Sequence, residues 1–151
     1  MQIQLINLKR QYESIKEEVD KEVLDVLSEG QYIMGKNVKE FEREISEYIG
    51  VKHSVSVGNG TDALIIALKA LGIGRGDEVI TTPFTFFATA ESISFVGATP
   101  VFVDVDINTF NIDPAKIEEK ITDKTKAIMP VHIFGQPCDM DAINEIAKNI
   151  T

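Results

Sequence analysis

Ser54-Val55-Ser56-Val57-Gly58-Asn59-Gly60-Thr61-Asp62-Ala63-Leu64-Ile65-Ile66-Ala67-Leu68 is the stretch on which the reading of this chain turns. Its first four residues alternate like a short strand. Its last six form an apolar run suited to a buried helix. Between them lies a glycine-rich turn. The first N–H groups of a helix lack partners within it, and the helix dipole adds partial positive charge there, so a turn of this kind can hold a phosphate. Gly58 and Gly60 let the backbone approach an anion with no Cβ in the way. Thr61 can cap the helix and donate its hydroxyl. The same residues also read as a turn and an N-cap with no ligand, since both are common uses of Gly, Asn and Thr.

Upstream, Leu8, Tyr12, Ile15, Val19, Val23 and Val26 recur at three- and four-residue spacing, which predicts an amphipathic helix stopped by Gly30. A second helix carries Val38, Phe41, Ile45 and Tyr48 and ends at Gly50. Downstream, the apolar helix runs to Leu71 and is closed by Gly72. Strands are expected at Glu78–Thr81, Pro100–Val105 and Ala127–Ile133, making four with Ser54–Val57. Helices are expected from Phe84 to Phe95, from Asp113-Pro114 through Ile117, and after a cap at Asp139 or Asp141. Two leading helices followed by strand–helix units indicate an α/β fold, a mostly parallel sheet with helices on both faces. A sheet cut after four strands suggests part of a larger chain.

The 151 residues suffice for one domain with a sizeable core. A net charge of −9 argues against nucleic acid and against an anionic membrane surface as partners. One cysteine, Cys138, excludes a disulfide framework and makes a cysteine metal site an unfavourable reading, which suits a reducing cytoplasm. No signal pattern precedes the first helix, and no apolar run is long enough to span a bilayer.

Ligands of open α/β sheets sit at the carboxyl ends of the strands. The glycine turn, Thr81-Thr82-Pro83-Phe84-Thr85-Phe86-Phe87, Asp104-Val105-Asp106 and His132-Ile133-Phe134-Gly135-Gln136 all gather there. Gly58, Gly60 and Ala63 fit a dinucleotide fingerprint, but the next strand ends in Thr-Thr-Pro where a ribose-binding acid is needed. A Walker-type site is absent, with no Gly-Lys-Ser/Thr. The third reading is a phosphorylated cofactor whose flat ring lies on an aromatic, Phe86 or Phe87. For any one of Phe84, Phe86 and Phe87, plain core is the commoner reading. His132, in an apolar strand, reads as a hydrogen-bonded structural histidine more readily than as a base. Asp104 and Asp106 suit turn caps as well as paired acids. Cys138 reads as inert. Asp62 would repel a phosphate unless its side chain turned toward the first helical turn.

Read together, Gly58-Asn59-Gly60-Thr61-Asp62-Ala63-Leu64, Gly76-Asp77-Glu78-Val79-Ile80, Thr82 through Ala90, and Gly97 through Asp104 resemble the DegT/StrS sugar aminotransferases. Leu8 through Tyr12, Gly35-x-x-Val38-x-x-Phe41-Glu42 and Pro130-Val131-His132-x-x-Gly135-Gln136 extend the likeness over essentially the whole chain, in the family's order. The wording at Thr81–Phe86 and Thr109–Pro114 is closest to enzymes that aminate the 3-keto group of a UDP-2-acetamido-hexuronic acid.

That resemblance implies the aspartate aminotransferase-like fold (fold type I of the pyridoxal-phosphate enzymes). Residues 1–151 would form the N-terminal portion of the cofactor-binding large domain, two leading helices (about 8–49) and then strand–helix units (about 54–149). It implies pyridoxal 5′-phosphate, held through the backbone at Gly60, Thr61 and Asp62 and stacked on Phe86. It also implies a nucleotide-linked keto-sugar acceptor, an amino donor such as glutamate, a homodimer and a cytoplasmic location. The ring-nitrogen aspartate and the Schiff-base lysine of the family are expected beyond Thr151. Lys69, Lys116, Lys124 and Lys148 lack the family's lysine context, so no catalytic residue and no metal ligand is assigned in this chain. Rival readings are a sugar dehydratase of the same fold, a regulatory protein keeping the fold without the chemistry, and an NAD-binding domain.

Overall fold

The computed structural model describes residues 5–150. The two ends of the expected 1–151 span therefore lie outside the described residues. The chain divides between Ser56 and Val57 into two compact units.

The first unit holds α1 (Leu8–Glu29) and α2 (Lys36–Ile49). Asn7 caps α1, its side chain accepting the Arg10 N–H at 3.0 Å. Gly30 ends α1 and Gly50 ends α2, at φ 69° and 79°, left-handed conformations that glycine adopts without a Cβ penalty. The apolar stripe of α1 exists as the spacing predicts, yet Leu8, Val23, Leu24 and Leu27 are exposed and α1 buries none of its residues.

The expected strand at Ser54–Val57 is not formed. Up to Ser56 its polar groups are taken by a helix instead: the Ser56 N–H donates to the Glu42 carboxylate at 2.7 Å, and the Ser54 hydroxyl donates to the Glu42 carbonyl at 2.5 Å. Alternation prepares a segment for a ladder, but a ladder forms only beside a second strand.

The second unit is α/β, with α3 (Gly60–Ala70), β1 (Glu78–Thr81), α4 (Ala88–Phe95), β2 (Thr99–Phe102), β3 (Thr125–Ile128) and α5 (Met140–Ala147). Its three strands are parallel in the order β2-β1-β3, so three strands stand where four were expected. The central strand explains the layering. Val79 and Ile80 are both fully buried, and alternation sends them to opposite faces. Val79 joins Leu68, Ile73, Ile93 and Ala98 on the α3–α4 side. Ile80 joins Val103, Ile112, Ile117, Cys138 and Ile143 on the α5 side. A parallel strand covered on both faces reads as a continuous apolar run for this reason.

β1 spans Glu78–Thr81 as expected, while β2 and β3 begin earlier and end sooner than expected, each ending for a local cause. After β3 the Met129 N–H still donates to the Ile80 carbonyl at 2.7 Å, but the Met129 carbonyl then accepts the Thr81 hydroxyl at 2.9 Å instead of a backbone N–H of the next ladder step. After β2 the Val103 N–H reaches the Thr81 carbonyl at 2.8 Å, and then Val105 pairs antiparallel with Ile112. Pro100 is tolerated because β2 lies at the edge of this sheet. The expected helix after Asp113-Pro114 is two 3₁₀ turns, Pro114–Lys116 and Glu118–Lys120, with the cap in place: Asp113 Oδ1 accepts the Ala115 N–H at 3.1 Å. Asp139, rather than Asp141, caps α5. The helix expected from Phe84 begins only at Ala88, because Thr82 Oγ1 takes the Phe84 N–H at 3.2 Å and holds Pro83–Thr85 as a bend. Nor is α3 a buried helix: Leu68 is buried, while Ile66 is 50% exposed.

Candidate cofactor site

The N-terminus of α3 and the carboxyl ends of β1 and β3 border one cleft of about 560 Å³. Asn59, Gly60, Thr61 and Leu64 line it from α3, Thr85, Phe86, Ala88 and Thr89 from the segment after β1, and Val131 and Ile133 from the segment after β3. Its size and its mostly apolar wall with a few polar groups suit a small molecule.

The cap of α3 is Asn59, not Thr61. Asn59 Oδ1 accepts the Asp62 N–H at 2.9 Å, so the helix starts at Gly60. Asn is among the strongest N-cap residues and stands immediately before Gly60, which is the signal that could have located the cap. Thr61 then falls inside the first turn. The Ala63 N–H goes to the Asn59 carbonyl at 3.1 Å. The Gly60 and Thr61 N–H groups have no acceptor among the described residues. A Cβ built at Gly60 would meet nothing within 4 Å, so the space in front of this backbone is open.

Of the four expected cofactor contacts, Gly60, Thr61 and Phe86 line the cleft together; Asp62 does not. Its N–H is engaged with Asn59, and its carboxylate accepts from Asn59 Nδ2 at 3.0 Å. The side chain thus turns toward the first helical turn, as the sequence suggests. Phe86 is 78% exposed and Phe87 73% exposed, so neither is core. Phe84 is 44% exposed and packs on Phe110 and Phe134, with ring centroids 5.5 and 6.3 Å away. The Thr85 and Thr89 hydroxyls, 2.9 Å apart, are a polar pair in the cleft wall that pattern reading missed.

The other candidates serve structure. His132 Nδ1 accepts the Cys138 N–H at 3.0 Å. The Cys138 thiol contacts the Val131 carbonyl at 3.2 Å, and burial pushes its pKa up. Asp106 accepts the Asn108 and Thr109 N–H groups, which hold its carboxyl below the usual range, and neither Asp106 nor Asp104 lines the cleft. Lys69 lies 5.5 Å from the Phe95 ring centroid, Lys116 pairs with Asp113 and Lys148 with Glu145. No lysine lines the cleft. Among the described residues no group of three or more His, Cys, Asp or Glu could hold a metal, and no helix is long and apolar enough to cross a membrane.

Residues 13–151 match the DegT/DnrJ/EryC1/StrS aminotransferase family. A pleiotropic regulatory protein of Geobacillus stearothermophilus is 53% identical over 98% of this chain and 40% of its own length. UDP-2-acetamido-2-deoxy-3-oxo-D-glucuronate aminotransferase of Pseudomonas aeruginosa is 50% identical over 97% of this chain and 41% of its own length. The crystal structure of Streptomyces venezuelae DesV superposes with a TM-score of 0.94 at 41% identity, over 97% of this chain and 39% of that one. The chain thus spans about 40% of the length of the curated relatives it matches. Solved chains of the same fold are described in PLP and PMP forms, and the cofactor of the family is pyridoxal 5′-phosphate.

Proposed function

This chain belongs to the DegT/DnrJ/EryC1/StrS aminotransferase family, and from that premise we propose that it is the cofactor-anchoring part of an enzyme that moves an amino group onto a nucleotide-linked keto-sugar. The observation that carries this reading is the open backbone at Gly60 and Thr61 sharing one cleft with an exposed Phe86. The residues present fit a phosphorylated, flat-ringed cofactor: free N–H donors at a helix N-terminus for the anion, and an aromatic face beside them.

In this reading the Gly60 and Thr61 N–H groups and the Thr61 hydroxyl bind the phosphate. Phe86 orients the ring by stacking. Leu64, Val131 and Ile133 keep water from one side of it. Asp62 contributes through its place in the first turn rather than by contact, since its N–H is held by Asn59. Pyridoxal phosphate, when bound, supplies the electron sink for amine transfer. The chain's own contribution is therefore positioning. His132 is given no part in it: its Nδ1 accepts the Cys138 N–H, and it is not among the residues lining the cleft.

The acceptor is C3 of a UDP-2-acetamido-hexuronic acid and the donor is glutamate. The activity of the Pseudomonas aeruginosa relative and the residues Thr109–Pro114 support that choice. The protein works as a cytoplasmic homodimer, in keeping with the exposed apolar stripe of α1. A second reading, a regulatory protein that keeps the fold, is favoured by the name of the Geobacillus stearothermophilus relative. A dehydratase of the same fold is a third.

One experiment separates them. The full-length protein is incubated with pyridoxal phosphate, glutamate and the UDP-linked 3-keto sugar acid, and the products are read by mass spectrometry. Appearance of an amino sugar with loss of glutamate supports the proposal. A dehydrated sugar points to the dehydratase, and unchanged substrate with retained cofactor points to the regulatory reading.

A further inference from the structure

An acid three residues into a phosphate-binding helix is a liability, and the way this chain disposes of Asp62 is visible. The geometry points to Asn59 as a positioning residue that holds the Asp62 carboxylate away from the phosphate position; this rests on the cofactor reading above. Both ends of the Asn59 amide are used on the same residue. Oδ1 accepts the Asp62 N–H at 2.9 Å, and Nδ2 donates to Asp62 Oδ2 at 3.0 Å. A Ser or Thr cap would have to make both bonds through one oxygen on a shorter arm, whereas the Asn amide makes them through two separate atoms.

Gly58 is the independent half of the argument. A Cβ built there would lie 2.8 Å from Asp62 Oδ2, closer than real Cβ contacts come. The carboxylate therefore occupies the space that the missing side chain of Gly58 leaves. Gly58 does not have a positive φ, so its backbone does not require glycine; the clearance for the carboxylate does. Asn59 pulls the acid toward this niche and Gly58 makes room for it. The Gly60 and Thr61 N–H groups are left facing the cleft without a carboxylate competing for them. The acid keeps its favourable interaction with the helix dipole from a position that does not face the ligand.

The test uses the full-length protein and two probes, pyridoxamine 5′-phosphate and pyridoxamine, neither of which forms a covalent bond to the protein through an aldehyde. Asn59→Ser keeps a cap acceptor and removes the Nδ2 donor. It is expected to weaken pyridoxamine 5′-phosphate on the order of fivefold, from like-charge repulsion near the surface, and to leave pyridoxamine unchanged. Asn59→Ser with Asp62→Asn is expected to restore the phosphorylated probe. Gly58→Ala leaves Asn59 in place, displaces the carboxylate and carries the same expectation, with the same rescue, should the serine variant fold poorly. Loss of both probes in equal measure, or a loss that Asp62→Asn does not rescue, overturns the inference and leaves the cofactor site standing. Wild-type protein that holds the phosphorylated probe no tighter than pyridoxamine overturns the cofactor reading, and this inference with it.

Discussion

Phe86 and Thr61 separate a ligand site from a fold feature. Because Phe86 is 78% exposed, Phe86→Ala should leave the melting temperature of the cofactor-free protein nearly unchanged. In the complete protein it should weaken cofactor retention by about 1 kcal/mol beyond lost contact area and shift the cofactor's absorbance band. Thr61→Ala should cost about 1 kcal/mol of binding, one neutral hydrogen bond. Gly60→Val should do far more, placing a branched side chain in the open space before the backbone proposed to bind the phosphate. Cofactor dissociation and melting, measured with and without cofactor, check all three. Equal melting losses in both states with unchanged affinity would remove the turn from the site. Cys138 gives a pH prediction. Burial raises its thiol pKa in the folded state, so the contribution is fully present below the ordinary thiol value and declines as pH rises from there toward the raised one. Cys138→Ser should flatten that alkaline limb in chemical denaturation, and native Cys138, 5% exposed, should react with a thiol reagent far more slowly than the unfolded chain.

Elements differ in what they owe to sequence alone. Caps and stops were legible because they are local chemistry: Asp113 and Asp139 each take an N–H of the turn they open, and Gly30 and Gly50 close their helices in the left-handed region. Ile80 and Ile93 are each fully buried, on opposite faces of the sheet. Truncating either to alanine should cost about 2–5 kcal/mol. Ile66, half exposed on α3, should cost well under that. Urea denaturation of the three variants checks the layering, and a loss at Ile66 matching that at Ile80 would contradict it. What pattern could not supply was the length of β2 and β3. Both ladders run one N–H past the strand and stop, one where the Thr81 hydroxyl takes the Met129 carbonyl and one where Val105 turns to Ile112.

At the scale of the molecule, the exposed stripe of α1 is the main unsatisfied feature. Leu24 and Leu27, neighbours one turn apart, are 62% and 55% exposed, and Leu8 at the other end of the helix is 70% exposed. The chain is therefore expected to self-associate, and Leu24→Glu with Leu27→Glu to reduce the association, as sedimentation velocity would read. A concentration-independent monomer with a sharp cooperative melt would count against this. On the family resemblance the Schiff-base lysine is expected beyond Thr151, and no lysine lines the cleft. The 151-residue chain alone should accordingly give no amino sugar from glutamate, pyridoxal phosphate and the 3-keto sugar nucleotide; turnover surviving repurification would contradict it.

The sequence by itself determined the α/β class, the order of helices and strands after the glycine turn, the helix stops and the family. These rest on periodicities of 3.6 and 2, on caps and on glycines, all of which act within a few residues. Tertiary structure alone decided three things. Ser54–Val57 is no strand, since pairing needs a neighbour and Glu42 took the polar groups of Ser54 and Ser56. Phe86 is exposed rather than core, since a phenylalanine's side of the surface depends on what packs above it. The Asp62 carboxylate lies against Asn59 Nδ2 and in the space beside Gly58, because the direction a side chain takes depends on the partners and the room that the fold supplies.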